Sequence, residues 1–265
     1  MKNRILFITA FLISFSAFSQ IGGLSNSKLA SLNIESVAKH HIEFEPTVSH
    51  VTATKYWDDN AQLQSLYSTS DSVLKNTSMV FRFTYGLIEN MEIGGSISTS
   101  LGLMNLGVKY KFWNNEQMGI AAIAGANIPL GNKTVDKNIR FSDQLSHFGG
   151  GLIYSAYFNE KLSLDASAQY LFFAETTDDK NKGSYYLNTD VGYFVFKQTL
   201  QLCLGVGYAS SRFENFDSNV VSIYPGVTVH TGEKFVMILQ APFDIAGKNN
   251  QKNAGFAFSL TMTID

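Results

Sequence analysis

The fold is decided by stretches such as Phe256-Ala-Phe-Ser-Leu-Thr-Met-Thr-Ile264, in which large apolar residues alternate with small or polar ones. A period of two residues is typical of a β-strand with one apolar face. The same alternation runs through Phe148-Gly-Gly-Gly-Leu-Ile-Tyr-Ser-Ala-Tyr-Phe158 and recurs from Ile42 to the end of the chain. The sequence therefore predicts an all-β protein that repeats one unit, a long strand followed by a turn.

The strand lengths indicate a membrane-spanning wall. Most of the predicted strands reach the roughly 9–11 residues that a tilted strand needs to cross the apolar layer, whereas strands of globular proteins are commonly about 5–6 residues long. An even number of strands lets an antiparallel barrel close with both ends on one side. We therefore predict a single antiparallel, up-and-down transmembrane β-barrel over residues 42–265. Its twelve strands are expected at Ile42–Tyr56, Thr77–Leu87, Met91–Ser100, Met104–Trp113, Met118–Leu130, Leu145–Phe158, Leu162–Ala174, Ser184–Phe196, Thr199–Arg212, Val220–His230, Lys234–Asp244 and Ala254–Asp265.

Two segments precede the barrel. Residues 1–19 resemble a signal peptide, with basic Lys2 and Arg4, a short apolar run and small residues before a predicted cut at Gln20. Residues 20–41 are polar and rich in serine, with a few scattered leucines. We expect residues 20–41 to form a periplasmic lead-in; the alternative is that they fold into the mouth of the barrel.

The connections alternate in length and so predict an orientation. Polar loops such as Trp57–Asn76, Gly131–Gln144, Glu175–Gly183 and Ile245–Asn253 alternate with links of two to five residues. Outer-membrane barrels have long outer loops and short periplasmic turns. The sequence thus predicts the outer membrane as location, with the N- and C-termini in the periplasm, and outer-membrane lipid as a partner.

One stretch resembles a known family. The segment Arg82-Phe-Thr-Tyr-Gly-Leu-Ile-Glu-Asn-Met-Glu-Ile-Gly94 joins two strands by a short acidic turn. It resembles the outer-membrane transporter family associated with the meta-pathway of phenol degradation. Gly23-Leu-Ser-Asn-Ser-Lys-Leu29 and Glu43-Phe-Glu-Pro46 are similar to Bacteroidetes members of that group. The resemblance implies a barrel of this size that takes up hydrophobic or aromatic compounds.

Charged residues recur on one face of the predicted strands, which we interpret as the face toward the lumen. If the third and fourth strands pair around Leu101, Glu92 is expected to lie near Lys111. Such charges could neutralise one another and plug the barrel, or line a narrow wet path; both interpretations stay open at this point. The candidate lumen-lining residues are Glu43, Glu45, Arg82, Glu92, Lys109, Lys111, Asp165 and Asp190.

No residue pattern predicts catalysis, a cofactor or a metal ion. The five histidines lack zinc-ligand spacing, and the sole neighbouring pair suited to nucleophilic catalysis, Ser146-His147, points to opposite faces of a strand. A net charge of −2 argues against a nucleic-acid partner. The leading hypothesis is an outer-membrane channel for passive uptake of small, hydrophobic or aromatic solutes. The alternatives are a non-conducting structural or adhesive barrel and, third, an outer-membrane hydrolase; neither the solute nor the oligomeric state follows from the sequence.

Overall fold

The structure is a computed structural model. It describes residues 21–25, 28–67, 72–99, 103–130, 146–174, 183–212, 217–232 and 234–265. The predicted signal peptide and most of the predicted loops 131–144 and 175–183 lie outside these residues. Within the described part of the chain, no helix is long and apolar enough to cross a membrane.

The described residues form one antiparallel sheet that closes on itself. Its strands are β1 (Ile42–Trp57), β2 (Leu63–Ser65), β3 (Leu74–Ile88), β4 (Met91–Ser98), β5 (Leu103–Asn114), β6 (Met118–Pro129), β7 (His147–Tyr157), β8 (Leu162–Phe173), β9 (Gly183–Phe196), β10 (Leu200–Arg212), β11 (Asp217–His230), β12 (Phe235–Gln240), β13 (Phe243–Lys248) and β14 (Asn250–Ile264). From β3 to β11 each strand pairs with the next along the chain.

Pairing of the first and last strands closes the barrel. β1 pairs with β14 from Ile42↔Ile264 to Trp57↔Asn250 and with β3 on its other side. β12 and β13 both pair with β11 and with β14, so they occupy one position in the wall. Short β2 pairs only with the end of β1. The predicted antiparallel barrel of twelve strands is therefore confirmed, with two additional strand segments.

Two predicted loops are partly strand. The predicted loop Trp57–Asn76 contains β2 and the first residues of β3, and most of Ile245–Asn253 belongs to β13 and β14. Polar residues of β14 such as Gln251 and Lys252 pair with the end of β1. These residues can extend a ladder because its hydrogen bonds join main-chain groups. Hydrophobic alternation consequently predicted the middle of each strand better than its ends.

The two faces of the wall differ as predicted. On β14, Phe256 and Phe258 are exposed on the outside, whereas Ser259 and Thr261 are buried inside. An exposed apolar exterior with a polar interior is the reverse of a soluble barrel and is typical of one surrounded by lipid. The large exposed apolar residues include Phe83, Leu106, Phe148, Leu152, Phe172, Leu187, Leu202, Leu204 and Val206.

The two ends of the barrel are named here by their connections. The turn end carries the start of β1, the end of β14 and short links such as Glu89-Asn90 between β3 and β4. The loop end carries the opposite strand ends, where most of the long connections lie. The chain enters β1 from the turn end, beside the main-chain hydrogen bonds that join Gly86 to His40 and His41.

The segment before β1 differs from the periplasmic lead-in that we expected. The described residues of 21–37, which we call the inner segment, lie inside the barrel, and Ile21, Leu24 and Ile34 are almost completely buried. Their main-chain groups contact inward side chains of β3, β4, β5, β7, β8 and β9. The physical reason is that the polar wall supplies hydrogen-bond partners which a flexible chain would otherwise find in water.

Candidate functional site

The inner segment rests directly on bare backbone of the wall. Gly94, Gly107 and Gly125 are register neighbours on β4, β5 and β6, and we call this row the glycine track. A Cβ atom on Gly94 would lie 1.8 Å from the carbonyl oxygen of Gly23, and one on Gly107 would lie 2.7 Å from that of Gly22. Side chains at these positions would overlap the inner segment, so glycine permits the close approach.

Glu92 and Lys109 form the charged centre of the contact. The two residues are directly opposed on β4 and β5, and Lys109 Nζ lies 3.0 Å from Glu92 Oε1 with both side chains fully buried. Glu92 also accepts hydrogen bonds from the main-chain N–H groups of Ser25 and Val37, both at 2.8 Å. Buried charges are tolerated only when such partners compensate for lost hydration.

Lys109 completes this arrangement from the donor side. Its ammonium lies 2.8 Å from the hydroxyl of Ser25 and 3.1 Å from the carbonyl oxygen of Asn33, and it also contacts the carbonyl of Glu35. One wall lysine therefore joins two separate parts of the inner segment.

Two aspartates hold the middle of the inner segment. Asp165 on β8 and Asp190 on β9 are register partners, an unfavourable arrangement for like charges. Lys28 forms a buried ion pair with Asp165, and Asp190 Oδ2 accepts hydrogen bonds from the N–H groups of Leu29 (3.1 Å) and Ser31 (2.7 Å). The inner segment thus provides the compensation for two adjacent wall carboxylates.

Apolar residues of the inner segment pack against the inner face of the wall. One cluster joins four of them to β6, β7, β8 and β9, and burial of each Leu or Ile side chain contributes about 1.5–3 kcal/mol. A second cluster places Leu29 against Cys203, Tyr224 and Ile238. The members of the first cluster are Ile21, Leu24, Leu32, Ile34, Ala121, Ile123, Ile153, Leu171 and Tyr186.

Glu43, Glu45 and Arg82 form a different cluster, made by the wall alone. Arg82 Nη2 lies 2.8 Å from Glu45 Oε2, and Nη1 lies 3.2 Å from Glu43 Oε2. Thr261 on β14 donates to Glu45. The cluster crosses the closure of the barrel, since its members come from β1, β3 and β14.

Lys111 lies apart from Glu92, contrary to the expectation. Its ammonium is 3.6 Å from Glu35 Oε2, near the turn end, and the partner of Glu92 is Lys109. The β4–β5 register pairs Glu92 with Lys109, which places Lys111 one inward position farther along β5. Ion pairs or hydrogen bonds hold six buried candidate lumen residues, Glu45, Arg82, Glu92, Lys109, Asp165 and Asp190, and Glu43 is partly buried against Arg82.

The lumen toward the loop end is polar. The side-chain atoms Asn105 Oδ1, Asn188 Nδ2 and Asn250 Oδ1 are buried there without a protein partner, as are Arg82 Nε and Asp190 Oδ1 farther toward the turn end. Buried polar atoms of this kind are commonly satisfied by water.

The Ser146-His147 pair of the hydrolase hypothesis shows no active-site geometry. The His147 ring is buried and meets Phe173 edge-on, with 4.4 Å between ring centres. Ser146 precedes β7, and its carbonyl accepts a hydrogen bond from Ala174. Packing against Phe173 accounts for the buried position of the His147 ring.

Sequence reasoning missed the part of the site that the inner segment supplies. Ser25, Lys28 and Ser31 contact wall carboxylates, yet residues 20–41 show neither strand nor helix periodicity. The usable indication was the Gly23–Leu29 stretch, which resembles family members although it lies outside the predicted strands.

The fold and the two faces of the wall define an outer-membrane β-barrel. The chain belongs to the family described as "Putative MetA-pathway of phenol degradation", whose model matches residues 43–260. This confirms the family resemblance and extends it beyond Gly94 through almost all of the barrel. The matched range begins after the inner segment.

Solved structures show the same architecture. An outer membrane channel from Pseudomonas putida F1 is 15% identical, with a TM-score of 0.72 over 87% of this chain and 98% of that chain. The NanC porin is 8% identical, with a TM-score of 0.54 over 82% and 98%. A KdgM porin in complex with disordered oligogalacturonate is 7% identical, with a TM-score of 0.53 over 85% and 99%. At these identities the likeness shows the fold alone. No curated protein matches the sequence.

Proposed function

We propose that this protein is an outer-membrane channel for passive uptake of small solutes. The observation that carries the proposal is a closed twelve-stranded wall that is apolar outside, polar inside and wide enough to contain a chain segment. Barrels of about eight strands are filled by their own side chains, and wider ones enclose a lumen. Here the twelve-stranded wall leaves room for the inner segment, so a path exists wherever that segment moves aside or leaves space.

The turn end of the barrel offers a cavity for one end of such a path. At the turn end, an open cavity of about 640 Å³ lies among the turns and is lined by residues that include Tyr157, Phe194 and His230. The Tyr157 hydroxyl donates to Glu35 of the inner segment at 3.1 Å. Movement of the inner segment would therefore join this cavity to the polar half of the lumen.

Small phenolic compounds are the first solute class to test. The family description refers to phenol degradation, and a phenol combines an aromatic ring with one hydroxyl group. Asn105 and Asn188 have unpaired polar atoms that could bind that hydroxyl. The eight inward charges, from Glu43 to Asp190, would then set the charge selectivity of the lumen.

We also propose that the turn end faces the periplasm. The short links and both ends of the barrel chain lie there, as in bacterial barrels with long outer loops. Thiol labelling of Lys161→Cys, in the short β7–β8 turn, should require a membrane-permeant reagent in whole cells. Equal labelling by an impermeant reagent would place the turn end outside.

A non-conducting barrel is the second candidate, and the buried inner segment is the observation that favours it. Full-length protein in planar bilayers, with phenol flux into liposomes, separates the two functions. Gly107→Ala should increase current and flux because its Cβ would meet three atoms that all belong to the inner segment. Gly95→Ala is the matched control, since its Cβ lies 3.2 Å from the flexible, outward Leu106 side chain. Absence of current and flux in both the wild type and Gly107→Ala would contradict the channel.

A further inference from the structure

The wall binds many main-chain polar groups of the inner segment, in addition to its buried side chains. Six N–H groups, those of residues 21, 25, 29, 31, 34 and 37, donate to wall side chains. Four carbonyl groups, those of residues 23, 25, 33 and 35, accept from Thr84 or Lys109. Main-chain groups are common to every peptide, so these contacts do not depend on one particular sequence.

The acceptors and donors on the wall are arranged to suit a peptide. Glu92 and Asp190 together take four main-chain N–H groups, and Lys109 lies among three main-chain carbonyls. A carboxylate offers up to four acceptor positions and an ammonium three donors. Charged partners give hydrogen bonds about twice as strong as neutral ones.

The glycine track adds shape to this chemistry. A Cβ on Gly107 would meet Gly22 O, Leu24 Cγ and Ile21 Cγ2, and one on Gly125 would lie 2.6 Å from Ile21 Cγ2. A strip of wall without side chains admits a peptide backbone at van der Waals distance. The hydrogen-bonding groups and the bare strip are independent features, and both face the same chain segment.

We propose that the turn-end half of the lumen is a binding site for a peptide that folds back on itself, which the described residues of the inner segment occupy. The inner segment is then a tethered ligand, and a free peptide of the same chemistry competes with it. Recognition through the main chain adds a peptide specificity to this barrel that goes beyond passage of small solutes. Peptide binding does not require conduction, so the two ideas can fail separately.

The test uses the intact, refolded chain with a site-specific protease sequence inserted after Lys39, which is exposed at the turn end. Cutting after refolding converts the inner segment into a separate peptide. We expect this fragment to stay with the barrel through gel filtration and to exchange with a dye-labelled synthetic peptide of residues 21–39, measured by fluorescence anisotropy. Loss of the fragment during gel filtration, or failure of the labelled peptide to bind, would overturn the proposal.

Gly107→Ala in the same cut chain should release the fragment about tenfold faster, because overpacking acts on the bound peptide. Gly95→Ala should release it at the wild-type rate. Both variants keep the full wall, and heat-modified gel mobility checks that each barrel is folded. Equal release rates for the two variants would count against the glycine track as part of the site. Retention and exchange without any bilayer current would support peptide binding and leave the channel contradicted.

Discussion

The lumen contains two clusters of buried charge that are satisfied in different ways. Arg82, Glu43 and Glu45, the wall cluster, find their partners on neighbouring strands. Glu92, Lys109, Asp165 and Asp190, the segment cluster, depend on donors and acceptors from the inner segment. The wall cluster therefore supports closure of the barrel, whereas the segment cluster supports occupation of its lumen. Thr84 links the wall cluster to the inner segment, since it accepts from Arg82 and donates to the carbonyl of Gly23.

Removal of the arginine from the wall cluster should have the largest effect on barrel stability. Arg82→Met leaves two buried carboxylates without their cation, and breaking a buried ion pair costs about 3–5 kcal/mol. Urea unfolding in lipid vesicles, followed by tryptophan fluorescence, measures the resulting decrease in the free energy of unfolding. Arg212→Met, at an exposed position on β10, is the control. A loss below about 1 kcal/mol for Arg82→Met would show that the wall cluster does not stabilise closure.

Replacement of Lys109 should loosen the inner segment before it unfolds the wall. Lys109→Met removes the donor to three main-chain carbonyls and leaves Glu92 unpaired, a cost of about 3 kcal/mol. Limited proteolysis should then cut the inner segment faster while the barrel keeps its folded gel mobility. Lys111→Met should show little change, since Lys111 forms an ion pair with Glu35, whose side chain is half-exposed. Equal rates of inner-segment proteolysis in Lys109→Met and Lys111→Met would show that the segment cluster does not hold the inner segment.

A smaller effect is expected at Lys28, where one charged hydrogen bond is lost. Lys28→Met leaves Asp165 beside Asp190 without its cation. The free energy that holds the inner segment against the wall should fall by about 1.5–3 kcal/mol. The change should appear as faster proteolysis of the inner segment and recover in the double variant Lys28→Met/Asp165→Asn. Lys39→Met provides the comparison at an exposed site just after the inner segment. If proteolysis of the inner segment stays fast in the double variant, the effect of Lys28→Met does not arise from the loss of its ion pair with Asp165.

The smallest effect lies outside both clusters, in the turn after β1. Hydrogen bonds from the main-chain N–H of Gln62, the side chain of Gln64 and the N–H of Asn60 hold the pKa of Asp58 below its usual value. A carboxyl whose pKa is lowered on folding stabilises above its unfolded pKa and loses that contribution as the pH falls through the folded pKa. The protection factor of the Gln62 amide, which is the intrinsic exchange rate divided by the observed rate, should therefore be constant at neutral pH and fall only below about pH 4. Asp58→Asn should remove this pH dependence; a protection factor that already falls near pH 6 would contradict it.

The sequence predicted much of the wall cluster and little of the segment cluster. Alternation places Glu43, Glu45 and Arg82 on the inward face, because the side-chain period of a strand is fixed at two. It placed Glu92 and Lys109 inward for the same reason but expected Lys111 as the partner of Glu92. Register depends on where the short β4–β5 link turns, and a small shift along the strand exchanges Lys111 for Lys109.

The inner segment marks the limit of local patterns. Residues 20–41 have scattered leucines and many serines, which predicted a polar lead-in because no period matched a strand or a helix. Its residues follow no period because each is matched to a different part of a surrounding wall. Leu29 meets Cys203 and Tyr224, whereas Ile34 meets β6 and β7.

By itself, the sequence determined the twelve-stranded barrel and its apolar exterior. These features follow from the two-residue period and from strand length, which are local properties of the chain. Tertiary structure alone decided that Glu92 pairs with Lys109 and that the described residues of 21–37 lie inside the barrel. Both outcomes depend on contacts between residues far apart in the chain, where burial of charge and of main-chain groups selects the partner that satisfies them.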